Sequence, residues 1–137
     1  MEKTLKKGMR DSFGKTITVY DVYSFAGITG DFNKVHVNEQ EAGKSAFGRP
    51  IAHGMLTGSL ISTVLGTKLP GPGTIYMEQG LMFKKPVFFG DTVTAVVEVE
   101  DIINEKKGIY RLSTKIINQN DDIVTDGYAV VMWRGEE

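Results

Sequence analysis

Gly54-Met55-Leu56-Thr57-Gly58-Ser59-Leu60-Ile61-Ser62-Thr63-Val64-Leu65-Gly66-Thr67 contains no charged residue, and Pro70-Gly71-Pro72-Gly73 follows almost at once. Met55, Leu56, Leu60, Ile61, Val64 and Leu65 cover more than one face of a helix, and small residues fill most of the other positions. A helix with no charged face should be buried nearly all round. It is too short to cross a bilayer, so protein must cover it. The Pro-Gly-Pro-Gly run ends it firmly.

What covers it follows in the chain. Thr74 to Phe83 reads as one strand, and Val93, Ala95, Val97 and Val99 alternate with Thr94, Val96 and Glu98 in a second. Tyr110, Leu112, Thr114 and Ile116 mark a third strand, and Ile123 to Trp133 a fourth. Asn118-Gln119-Asn120-Asp121, Lys107-Gly108 and Gly90-Asp91 supply the reversals. Four long strands on short turns predict an antiparallel meander, an α+β protein whose sheet lies against one helix.

Upstream, Phe13-Lys15-Ile17-Val19 alternates like a strand. Thr18-Val19-Tyr20-Asp21 fits a capping box, with Val22, Phe25 and Ala26 forming the apolar face of the helix behind it. Gly27 and Gly30 are expected to stop that helix, and Asn38 with Glu41 caps another reaching about Lys44.

The 137 residues suit one domain spanning 1–137. A formal net charge of −1 argues against nucleic acid as a partner. The absence of cysteine removes disulfides, thiol catalysis and cysteine-based zinc sites. The lysine-rich stretch Met1 to Arg10 has no apolar core of a secretory signal, and no segment is long enough to span a membrane. A cytoplasmic protein without membrane attachment is expected.

The chemistry gathers in Gly30-Asp31-Phe32-Asn33-Lys34-Val35-His36 and Ile51-Ala52-His53-Gly54. Asp31 and His36 would lie about 140° apart on a helix and on opposite faces of a strand. They converge only if the chain between them turns, which Gly30 and Asn33 permit. D-x4-H spacing alone describes many surface loops. Gly54 adds weight, because its N–H would be an unpaired donor at a helix N-terminus, able to hold an oxygen that gains negative charge. Gly54 and Gly58 could equally serve close helix packing. His53 is expected to be structural and bonded to backbone. Thr57 and Ser62 have hydroxyls that can return to helix carbonyls, and Ser62 could instead reach the site. Two histidines and scattered carboxylates show no recognised metal-ligand spacing, so no metal and no cofactor is expected.

Phe25-Ala26-Gly27-Ile28-Thr29-Gly30-Asp31-Phe32-Asn33-Lys34-Val35-His36 is close to F-x-x-x-(S/T)-G-D-x-N-P-x-H, a signature of the MaoC-like dehydratases. Ile51-Ala52-His53-Gly54-Met55-Leu56, Leu69-Pro70-Gly71-Pro72-Gly73, Phe83-Lys84-Lys85-Pro86-Val87 and Gly90-Asp91 reinforce it in order. The chain thus resembles that family of the hot-dog superfamily, and within it the short R-specific enoyl-CoA hydratases, from about Phe13 to Trp133. The resemblance implies a curved antiparallel sheet wrapped around one long central helix, assembled as a homodimer or higher oligomer. It implies reversible addition of water to a trans-2-enoyl-CoA, giving the (R)-3-hydroxyacyl-CoA. Carried across, Asp31 and His36 hold the water, Gly54 N–H binds the thioester oxygen, and Asn33 shapes the loop with Ser62 in support. Which dyad member is the base stays open, because the pair titrates as a unit. Lys34 stands where the family usually has proline, so the loop lacks a stiffener. Three alternatives share parts of this pattern: a dehydratase acting on acyl-carrier-protein thioesters, a hot-dog thioesterase, and a non-catalytic acyl-thioester binding subunit. The absence of a carboxylate between Gly54 and Thr67 counts against the thioesterase.

Overall fold

The computed structural model describes residues 4–135. Five strands form one antiparallel sheet: β1 (Arg10–Thr16), β2 (Ile75–Phe83), β3 (Thr92–Asn104), β4 (Ile109–Ile117) and β5 (Ile123–Met132). The helices are α1 (Val19–Thr29), α2 (Lys34–Val37), α3 (Glu39–Gly43) and α4 (Gly54–Thr67). The sheet runs in the order β1-β3-β4-β5-β2, and α4 packs on β1, β2, β3 and β4. A sheet wrapped around one long helix is the hot-dog arrangement.

Alternation on the strands explains the core. Val93, Ala95, Val97 and Val99 of β3 and Tyr110, Leu112 and Ile116 of β4 point inward onto Ile61, Val64 and Leu65 of α4. Trp133 closes the far end, its Nε1–H donating to the Pro72 carbonyl at 3.0 Å and pinning the turn that ends α4.

The expected four-strand meander is corrected. β3, β4 and β5 do follow one another through hairpins, but β2 pairs with β5 and not with β3. The cause lies in the link between β2 and β3, which is engaged elsewhere. Val87 O accepts from Ala52 N–H at 2.7 Å, and Gly90 N–H and Asp91 O exchange bonds with Ile17, both at 2.8 Å. The link therefore fastens the segment before α4 and the end of β1, and β1 takes the place beside β3.

Two boundaries and one burial pattern also differ. Val19 belongs to α1, because Thr18 is the cap: Thr18 Oγ1 accepts from Asp21 N–H at 3.1 Å, and Asp21 Oδ2 accepts from Thr18 N–H at 2.9 Å. Gly27 sits inside α1, and Gly30 alone ends it in the left-handed conformation at φ 82°. Helix α4 is not buried all round in the single chain. Thr57, Gly58, Leu60, Ile61, Val64 and Leu65 are buried, whereas Met55 is 56% exposed and Ser59, Ser62 and Gly66 are open. One curved sheet covers only one side of a cylinder. On the open side Ser59 and Thr67 satisfy their hydroxyls on the carbonyls of Met55 and Thr63, each at 2.6 Å.

Candidate active site

The end of α1 builds the first half of the site. Gly30 N–H closes on Ala26 O at 2.8 Å, the chain reverses, and Asp31 emerges beyond the helix. Three side chains then fold the loop back on itself. Thr29 Oγ1 accepts from Asp31 N–H at 3.1 Å, Asp31 Oδ1 from Asn33 N–H at 3.1 Å, and Asn33 Oδ1 from Val35 N–H at 3.2 Å. Short polar side chains bonding backbone two residues on are the usual way to hold such a turn. The last of these bonds makes Asn33 the N-cap of α2, a four-residue helix that sequence periodicity does not reveal. That helical turn brings His36 round to face Asp31.

His36 is 8% exposed, and its Nδ1 donates to the Ile51 carbonyl at 2.7 Å. A carbonyl can only accept, so the neutral ring carries its proton on Nδ1 and keeps a lone pair on Nε2. Burial pulls the His36 pKa below the ordinary histidine value, and the neighbouring His53 ring adds to this. The Ile51 bond and the Asp31 carboxylate oppose it. His36 is therefore uncharged at neutral pH, ready to accept a proton.

The third member is His53, 3% exposed, whose Nε2–H donates to the Asp31 backbone carbonyl at 2.9 Å. Its ring lies against His36 with centroids 3.9 Å apart and planes 31° apart, and against Phe25 at 5.0 Å. One oxygen of Asp31 and one ring nitrogen of each histidine lie within 4.8 Å of one another. Such a cluster has the composition of a metal site, which spacing in the sequence did not suggest. The bonds to carbonyls leave one ring nitrogen of each histidine free, and the two rings are tilted by 31° to one another.

Gly54 follows His53 as the first residue of α4. Leu56 and Thr57 N–H groups close on the His53 carbonyl, and Gly54 N–H has no protein acceptor among the described residues. A Cβ at Gly54 would stand 2.8 Å from two ring carbons of Phe83, and one at Gly58 would stand 3.1 Å from Leu81 Cδ1. Both glycines thus allow β2 to close on the helix, and Gly54 also lines the cavity. That cavity, of about 630 Å³, is lined by Asp31, His36, His53 and Gly54 amid Phe25, Phe83 and other apolar groups, with exposed Lys84 and Lys85 also on its wall. Thr57 bonds back to Gly54 O at 3.0 Å. Ser62 lies two turns further along α4, about 12 Å down the axis. It is exposed on the open face and outside the cavity lining.

The fold and the site together define a hot-dog protein with an acid–imidazole pair beside a helix N-terminus. The MaoC like domain model matches residues 1–120, and the chain belongs to that family. It is 47% identical over 129 residues to an (R)-specific enoyl-CoA hydratase of Rhodospirillum rubrum, covering 93% of this chain and 88% of that protein. It is 44% identical over 127 residues to a 3-hydroxybutyryl-CoA dehydratase of Methylorubrum extorquens, covering 93% of this chain and 80% of that one. Among solved structures, an (R)-hydratase from A. caviae involved in PHA biosynthesis superposes with a TM-score of 0.90 at 44% identity. The match covers 95% of this chain and 98% of that one.

Proposed function

We propose that this protein is an R-specific enoyl-CoA hydratase, adding water reversibly to trans-2-enoyl-CoA, with Asp31 and His36 as the catalytic dyad and Gly54 N–H as the oxyanion donor. One observation carries the reading: an Asp31 carboxylate and a neutral His36 stand within 4.8 Å, in a largely apolar cavity that Gly54 also lines. A water hydrogen-bonded to two groups at about 2.8 Å each spans a gap of that size. Its oxygen bonds to C3 while the C2=C3 electrons move towards C2 and onto the thioester oxygen. The dyad takes one proton from the water and delivers one to C2. Gly54 N–H, reinforced by the α4 dipole, meets the charge on the thioester oxygen. The reverse sequence expels water.

The reading takes the chain as one domain, working as a cytoplasmic homodimer or higher oligomer. Support for assembly comes from β2, an edge strand that leaves Ile75, Met77, Met82 and Phe83 at least half exposed, beside the open face of α4. A cysteine-free chain suits a reducing compartment but does not require one. The test is hydration of crotonyl-CoA by the purified protein with chiral analysis of the product, run beside an acyl-carrier-protein substrate. Asp31→Asn and His36→Ala should each lower kcat by about 10²–10⁴-fold. Release of free CoA thiol in place of hydration, or full activity in either variant, refutes the assignment.

A further inference from the structure

His53 stands outside the proposed chemistry, yet it touches each part of the site. It occupies the N-cap position of α4, where Ser, Thr, Asp or Asn usually caps the helix with its side chain, and makes no such bond. The ring is turned away to donate Nε2–H to the Asp31 carbonyl, 22 residues back along the chain. One face of it covers His36 and another edge meets Phe25. Its remaining nitrogen, Nδ1, is buried without a hydrogen-bond partner. An orphaned buried polar atom is costly, so a residue that carries one needs a reason to be histidine.

From this geometry, and resting on the hydratase reading above, we propose that His53 is a positioning residue of the reaction. It ties the Asp31 backbone to the start of α4 and packs against the His36 ring, so that carboxylate, imidazole and Gly54 N–H keep one mutual geometry. The two histidines are held in opposite tautomers, His36 on Nδ1 and His53 on Nε2, each by a backbone carbonyl. The orphan Nδ1 follows from this arrangement. That nitrogen is buried directly against His36 with no hydrogen-bond partner. The other titratable groups facing this space are Asp31 from the α1–α2 loop and Lys84 and Lys85 after β2. The lysines are drawn towards Asp126 and Asp122, at 3.7 and 3.5 Å. His53 thereby adds a third tie between the Asp31–His36 loop and the segment that opens α4, beside the Ile51 N–H bond to Val35 O at 3.2 Å and the His36 bond to Ile51 O.

Two substitutions separate the donor from the ring. His53→Phe keeps an aromatic face on His36 and loses the bond to Asp31. His53→Gln can place an amide N–H near the former Nε2 and loses the stack. Displacement of a reacting group by about 1 Å costs about 100-fold, so His53→Phe should lower kcat about 10- to 100-fold. KM should stay within about threefold. His53→Gln should recover most of that loss. A Phe variant with wild-type kcat overturns the proposal, as does a Gln variant no better than Phe. The imidazole nitrogen NMR spectrum of the wild-type protein at pH 8 needs neither variant nor turnover. It should show His53 protonated on Nε2 and His36 on Nδ1, and His53 protonated on Nδ1 overturns the proposal even where the variants fail to fold. A wild type that fails to hydrate crotonyl-CoA refutes the hydratase reading alone, and the tautomer assignment still decides this one.

Discussion

Gly54→Ala is the most discriminating perturbation of the site, because it alters one methyl and leaves every catalytic atom in the chain. The new Cβ would lie 2.8 Å from Cδ1 and Cε1 of Phe83, against an ordinary carbon contact of about 3.5–4.0 Å. The ring must therefore retreat by about 1 Å. Phe83 is 51% exposed, so it can swing outward, and the strain stays at the low end of the about 1–3 kcal/mol usual for overpacking. Alanine returns up to about 1 kcal/mol of helix propensity at the first turn. The two roughly cancel, which predicts a Tm within about 4 °C of wild type. Catalysis has no such compensation. The methyl and the displaced ring both stand beside the N–H proposed to hold the thioester oxygen, and loss of one oxyanion donor costs about 10²–10³-fold. Steady-state hydration of crotonyl-CoA should show kcat/KM reduced by about 10- to 10³-fold. Gly58→Ala is the control: its Cβ would meet only the tip of Leu81, at 3.1 Å, and Gly58 does not line the cavity. It should retain most activity. A Gly54→Ala enzyme as active as Gly58→Ala would refute the oxyanion role and leave glycine there for packing alone.

The remaining predictions concern the loop, the helix cap, the edge strand and pH. Lys34→Pro should preserve activity and raise stability by about 0.4–1 kcal/mol, measured by denaturant unfolding. Residue 34 is the first of α2, and Asn33 at φ −52°, ψ 131° already has a backbone that proline accepts after it. Thr18→Ala removes half of the α1 capping box and should cost about 1 kcal/mol in the same assay. Met77→Asp on β2 should shift the protein towards monomer in sedimentation equilibrium if that edge is the assembly surface. Burial holds the His36 pKa below its ordinary value of 6.5, so the acid limb of kcat/KM should be centred below pH 6.5. The same displacement has a sign for stability. The unfolded chain binds the proton first, so the stabilisation due to neutral His36 is complete above pH 6.5 and is lost as pH falls through the lower, folded value. Tm measured across acid pH checks this.

What could be read in the sequence divides along physical lines. Short-range causes were visible: the uncharged run that became α4, the Thr18 and Asn38 caps, and the hairpins joining β3, β4 and β5 are all written in neighbouring residues. The place of β2 was not, because Phe83 pairs with Thr125, and nothing in the periodicity of either strand names a partner so far along the chain. Nor was the open face of α4, since a helix sequence states what must be buried and not by which chain. Met55, Ser59 and Ser62 are apolar or uncharged yet exposed, and an apolar edge on β2 lies beside them. Among the described residues Ser62 stays exposed and outside the cavity lining. The Asp31–His36 pair occupies an intermediate position. Its residues were legible, but their convergence needed one left-handed glycine, three side-chain turns and a four-residue helix, each too short to leave a pattern. His53 was legible as a histidine bonded to backbone, but its partner was not, because every residue type carries the same carbonyl. A side chain that recognises backbone leaves no complementary letter in the sequence, and only the folded chain shows what it holds.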